Sequence, residues 1–141
     1  MTEIKISDLS IGDWVRVDDF DKVLIKRVSA IDGTRNQIGI IKNNRSGIYW
    51  YYDDEFEPIP LTPEILEKNG FVDYEVGKGW YVLNVADDLR VWLHRNSHDW
   101  TFQLMKWSPL STHEIGKVFI KHTHQLQHAL RLAGVGKEIE L

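Results

Sequence analysis

Through residues 1–60 the chain is punctuated about every ten positions by turn-forming residues, and this spacing narrows its choice of folds more than any other feature. Gly12-Asp13 precedes Trp14-Val15-Arg16-Val17, and Asp18-Asp19-Phe20-Asp21 reads as an acidic turn. Residues 22–31 set Val23, Ile25, Arg27 and Ser29 on one side against Leu24, Lys26, Val28 and Ala30 on the other, as one strand. Asp32-Gly33 is a hairpin dipeptide, because both residues tolerate positive φ. Residues 37–42 and 48–52 are further strands, with a turn at Asn43-Asn44-Arg45-Ser46-Gly47 between them. Short strands at this spacing predict a small barrel or a strongly twisted sheet.

The second half reads differently. Pro58 and Pro60 bracket an extended segment unfit for a central strand. Thr62-Pro63-Glu64 is a helix start, with Thr as N-cap, Pro in the first turn and an acid beside it, and Gly70 is the stop. A helix is expected over about 62–69, and the module boundary just before it, giving modules 1–60 and 61–141. Residues 71–107 predict an antiparallel meander of three to four strands. Leu89, Val91 and Leu93 alternate with Arg90, Trp92 and His94, as a half-buried strand does. Residues 108–112 read as a loop. A last helix is expected over about 120–133, with Leu126, Ala129, Leu130 and Ala133 as its buried stripe. Its start is left open: Ser111 with Glu114 matches a capping box, but Gly116 and Val118-Phe119-Ile120 oppose a longer helix. The fold class expected is therefore α+β, mostly β, with two short helices.

Composition limits the chemistry. Six Trp, five Tyr and five Phe in 141 residues favour strands and large buried area. There is no cysteine, so disulfides, thiolate metal sites and cysteine nucleophiles are ruled out. No apolar run follows a basic start, and none approaches a membrane span, so the expected location is the cytoplasm. The net charge is −4, which disfavours generic nucleic-acid binding. The charge is uneven: residues 1–60 carry eight Lys/Arg against eleven Asp/Glu, whereas residues 90–137 carry seven against two together with all six histidines.

Two segments carry a family resemblance. Pro58-Ile59-Pro60-Leu61-Thr62-Pro63-Glu64-Ile65-Leu66, continuing to Gly70-Phe71, and the terminal stretch containing His124-Gln125-Leu126-Gln127 resemble a family of uncharacterised small proteins of gut Bacteroidales and their phages and mobile elements. The opening Leu9-Ser10-Ile11-Gly12-Asp13-Trp14-Val15 is similar to the start of that family. The resemblance implies a bacterial or phage setting and brings no activity. Gly12-Asp13-Trp14-Val15 is also similar to the first strand of SH3-like barrels, so residues 1–60 are expected to form an SH3-like small β-barrel, an analogy of fold alone.

Several groups of residues are candidates for function. His124 and His128 are four apart on a predicted helix, a spacing that zinc proteases use for two ligands, but the intervening Gln125 cannot act as their general base. Lys121 and Arg131 on that face oppose a divalent cation. A solvated face or an interhelical contact accounts for these histidines, and neither a metal nor any other cofactor is expected. Tyr49-Trp50-Tyr51-Tyr52 splits by period two, so that one pair is core and the other is a platform. The acids Asp53-Asp54-Glu55 beside it suit a basic or proline-rich peptide, although packing against the second module is the simpler role. Arg90, Trp92, His94, Arg95, Lys106, Trp107, Lys121, His124, His128 and Arg131 would form one basic aromatic patch if meander and helix shared a face. The adjacent carboxylates read as turns, and no phosphate loop or nucleophile elbow is present. The expectation is a non-enzymatic protein-binding adaptor, with Tyr49, Tyr51, Trp92, Arg95, Lys106, Lys121, His124, His128 and Arg131 as candidate contacts. The alternative is a nucleic-acid-associated protein that uses the basic half. Homo-oligomers fit either reading, and a membrane partner fits neither.

Overall fold

The computed structural model describes residues 5–20, 22–42 and 47–141. The expected turn at residues 43–46, Asp21 of the acidic turn and the first four residues lie outside these. The chain divides into two compact units, Met1–Ile59 and Pro60–Leu141. The fold is mostly β, with antiparallel sheets and two α-helices. Among the described residues no helix is long and apolar enough to cross a membrane.

In the first unit a single 3-10 turn precedes β1 (Trp14–Asp19), β2 (Lys22–Arg27), β3 (Ala30–Asp32), β4 (Gln37–Ile41), β5 (Ile48–Tyr52) and β6 (Phe56–Pro58). They form two three-stranded sheets in the orders β2-β1-β6 and β3-β4-β5. Neither sheet closes into a barrel, and the single strand expected over 22–31 is broken at Val28-Ser29. The backbone hydrogen bonds show why. Val28 exchanges bonds with the Gly12-Asp13 turn, donating to Asp13 O at 2.8 Å and accepting from Gly12 N at 2.7 Å. Ser29 N instead donates to Gly39 O at 2.8 Å. The chain thus leaves the first sheet and enters the second within two residues. The core holds Val15, Val17, Val28, Ile38, Ile40, Tyr51 and Phe56.

The Asp32-Gly33 hairpin forms with a longer loop than the dipeptide suggests, because Asp32 pairs with Gln37. Asp32 Oδ1 accepts from the amides of Thr34 and Arg35, both at 3.1 Å, and the left-handed position falls on Asn36 (φ 57°) rather than Gly33. Asp and Asn suit these two positions for the reasons that make them turn residues.

The second unit opens with α1 (Pro63–Lys68), capped as expected by Thr62 Oγ1, which accepts from Ile65 N at 3.3 Å, and ended at Gly70 (φ 88°). Five strands follow: β7 (Val72–Tyr74), β8 (Trp80–Ala86), β9 (Leu89–Arg95), β10 (Trp100–Trp107) and β11 (Thr112–Ile120). They lie in chain order in one antiparallel sheet. The meander therefore has one strand more than expected. Val118-Phe119-Ile120 pairs with β10 instead of opening the last helix, as its β-branched and aromatic content favours. α2 is correspondingly shorter, Thr123–Leu132. Its start is fixed by Gln125 Oε1, which accepts from Lys121 N (2.7 Å) and His122 N (3.0 Å), and not by Ser111 and Glu114.

Both helices share a core with one sheet face: Leu66, Leu126 and Leu130 pack with Tyr81, Val91, Leu93, Trp100 and Phe102. The chain end is drawn into this core by two buried carboxamides. Gln127 Nε2 donates to Lys137 O (3.0 Å) while its Oε1 accepts from Ile139 N (2.7 Å). Asn69 Nδ2 donates to Glu140 O and Ile65 O (both 2.8 Å), and Asn69 Oδ1 accepts from Glu140 N (2.7 Å). Ile139 is thereby fully buried. Removing one carboxamide strands buried backbone groups, each costing about 1–3 kcal/mol. Asn69→Ala is expected to destabilise the second unit by roughly 2–4 kcal/mol in urea unfolding, whereas Glu138→Ala on the exposed side of the same tail changes it by less than about 0.5 kcal/mol.

Candidate functional site

Strand β5 is built from alternation and register. Ile38 and Ile40 of β4 are fully buried, and their cross-strand partners are Tyr51 and Tyr49. The opposite face of the same ladder pairs Gln37 with Tyr52, Gly39 with Trp50 and Ile41 with Ile48. Tyr51, expected as a contact, is 6% exposed and belongs to the core, because it pairs with the fully buried Ile38, while Trp50 (44%) and Tyr52 (52%) face outward together with Ile41 and Ile48. Gly39 makes this surface possible. A Cβ there would lie 2.5 Å from Ile48 Cγ2 and 3.2 Å from Trp50 Cζ3, so the bare backbone lets both side chains lie across β4. β5 ends its sheet, pairing with β4 alone among the described strands.

The turn after β5 presents charge. Glu55 is spent on the turn itself: its carboxylate accepts from Tyr52 N at 2.9 Å, and its own amide donates to Tyr52 O at 2.9 Å. Asp53 and Asp54 remain exposed. An apolar aromatic face with carboxylates at one end attracts a cationic side chain twice, through the ring faces and through Coulomb attraction.

The other ring of β5 is held from behind. Tyr49, the outward member of the Tyr49/Tyr51 pair, lies under Lys42, whose Nζ is 4.2 Å from the ring centroid. Lys42 Nζ bonds Asp19 Oδ2 at 2.8 Å, and Tyr51 OH donates to Asp19 Oδ1 at 3.4 Å. The Lys42 hydrogen bond holds the Asp19 carboxyl below its ordinary 3.8. The bond to Asp19, then that to Tyr51, holds Lys42 above its ordinary 10.5. The pair joins the end of β1 to the end of β4 and so fixes the back of the platform.

The candidate contacts of the basic half do not form one patch. Val91 and Leu93 face the helices, so Arg90, Trp92 and His94 lie on the sheet face opposite α2. There Trp92 meets Tyr74 and Trp80 edge-on, with centroids at 5.0 and 5.9 Å, and Trp80 stacks on His94 at 4.2 Å. Lys121, His128 and Arg131 belong to the helix side, as does Lys106, which follows Leu104 in the alternation of β10. Arg95 lies 5.8 Å from the centroid of Trp100, and Arg131 pairs with Glu138 at 3.2 Å. His124 is buried at 3% exposure rather than solvated. Its ring lies between those of His122 (5.8 Å) and His128 (5.7 Å). Burial, and then Lys121, lowers the pKa of His122. Among the described residues no group of three or more His, Asp or Glu is arranged to hold a metal.

Comparison with family models, with curated proteins and with solved structures finds no match to this chain.

The Asp19–Lys42 pair sets a pH dependence whose sign is fixed. A carboxyl lowered by folding contributes stability above 3.8 that is lost as pH falls through its folded value; an ammonium raised by folding contributes below 10.5 and loses it as pH rises through its own. The stability difference between the native chain and Asp19→Asn should hold steady at neutral pH and shrink below pH 3.8 and above pH 10.5. Unfolding curves across pH test this, and a difference independent of pH would contradict it.

Proposed function

We propose that this chain is a non-enzymatic protein-binding adaptor whose first unit is an SH3-like module that takes an extended, basic peptide along β5. The carrying observation is the outward face of β5: Ile48, Trp50 and Tyr52 exposed on a strand at the end of its sheet, with Asp53 and Asp54 directly after them. Two physical arguments support it. An end strand offers unpaired N–H and C=O groups to an incoming strand, and alternate side chains of that strand then meet the platform. Exposed aromatics of this density are costly on an isolated soluble surface, and Trp and Tyr are the residues that dominate recognition energies. The bent passage at Val28-Ser29 between two three-stranded sheets supports the SH3-like reading, because small β modules turn their corners where the chain bends from one sheet into the next. The resemblance to proteins of gut Bacteroidales and their phages directs the search for partners to a bacterial or phage cytoplasm.

Fluorescence anisotropy with a labelled peptide alternating Lys or Arg with apolar residues and proline is the test. The basic peptide is expected to bind and its Glu-for-Lys counterpart to fail. The double variant Trp50→Ala/Tyr52→Ala should weaken binding by about tenfold or more, and Asp53→Asn/Asp54→Asn should flatten its salt dependence. Equal binding of both peptides, or indifference to the aromatic double variant, defeats the proposal. Tight binding of homopolymeric single-stranded DNA in place of peptide would favour the nucleic-acid reading.

A further inference from the structure

The second unit has an end strand of its own, with different chemistry. β11 pairs with β10 and with no other described strand. Its register shifts at Leu104/Met105, where Ile115 is the extra residue, so only Gly116–Ile120 forms a regular edge. Along that edge Val118 and Phe119 are exposed, and Leu132 of α2 is almost wholly so. Between β11 and α2 lies an open groove of about 400 Å³, floored by Phe102 and Leu104 and walled by Val118, His128, Ala129 and Leu132. Gly116 contributes to its width, since a Cβ there would meet nothing within 4 Å. The volume lies in the range that ligand and side-chain pockets occupy, about 300–1,000 Å³.

The charged side chains along this edge are mostly cationic. No carboxylate lines the groove among the described residues, and its titratable lining residues are His128 and Lys117. Lys117, opposite Gln103, turns its side chain to the far face of β11, where its Nζ lies 5.6 Å from the Phe119 ring centroid. Lys121 follows the end of β11, exposed. Lys106 and His113, directly opposite each other, extend the same sheet face beyond Leu104 and Gly116. The one acid of β11, Glu114, lies on the same far face as Lys117 and is occupied by Gln103 Nε2, which donates to it at 2.9 Å.

We propose that this groove is a second docking site that takes an extended acidic peptide segment of a partner protein. The segment pairs with Gly116–Ile120, places alternate apolar side chains over Phe102 and Leu104 on the helix side, and turns the intervening Asp or Glu to the far face, against Lys117 and Lys121. The two sites of the adaptor then select partners of opposite charge.

A random twelve-residue phage-displayed library panned on the immobilised full chain tests this directly. Enriched sequences that alternate apolar residues with at least two Asp or Glu are expected. Synthetic peptides from them should lose about tenfold in affinity to Lys117→Glu/Lys121→Glu, regain it when their acids are changed to Lys, and bind Trp50→Ala/Tyr52→Ala unchanged. Both lysines are exposed, so these variants fold, and retained binding of the basic peptide of the first site verifies it. Where that basic peptide fails to bind at all, the thermal unfolding curve gives the same check, and this second site is judged on its own. Absence of acidic sequences, or acidic peptides indifferent to the lysine reversal, overturns the proposal. So does a concentration-dependent dimer abolished by Val118→Asp, which assigns the edge to a second copy of the chain.

Discussion

An antiparallel sheet that does not close must end somewhere, and the amides and carbonyls along its last strand then depend on water or on another chain. That constraint governs this molecule. Among the described residues, the two sheets of the first unit and the meander of the second all end in strands that pair on one side only. Several of these, β2, β5, β7 and β11, also carry large apolar side chains on the exposed surface. β11 shows partial protection through its irregular register and Lys117, both of which discourage indiscriminate pairing. β5 is followed directly by the acids Asp53, Asp54 and Glu55.

The outward face of β5 and the edge of β11 are each backed by packed side chains and hydrogen bonds. Behind β5, Tyr51 fills the core while its hydroxyl, Asp19 and Lys42 tie strand ends together. Behind β11, α2 is fixed at its start by Gln125 and along its length by Gln127, which grips the chain end. A side-chain carboxamide can donate and accept at once, so Asn69 and Gln127 each satisfy a donor and an acceptor of an irregular tail. Without them the tail would carry buried, unpaired backbone into the core.

Much of the local structure was legible in the sequence. The start and stop of α1 followed from Thr62, Pro63 and Gly70, whose roles rest on backbone geometry alone. The alternation of β9 likewise told Val91 and Leu93 from Trp92 and His94. The faces of β5 were separable by period two, but which face is buried depends on its partner. Ile38 and Ile40 flanking Gly39 held that information, since a ladder pairing them with Tyr51 and Tyr49 turns Trp50 and Tyr52 outward. The fifth strand was hidden because exposed Ile115, Val118 and Phe119 lack the alternation that marks a half-buried strand. The groove could not be read at all, because it depends on how far α2 stands from an edge, and spacing along the chain does not encode that distance.

The account rests on the outward face of β5 being a binding surface. ¹⁵N-resolved titration of the six tryptophan indoles with a basic peptide addresses it most directly. The account predicts that the Trp50 indole shifts, together with backbone amides of Ile48–Tyr52, while Trp80, Trp92 and Trp107 stay in place. Shifts confined to the indoles of the second unit, or none at saturating peptide, would contradict it.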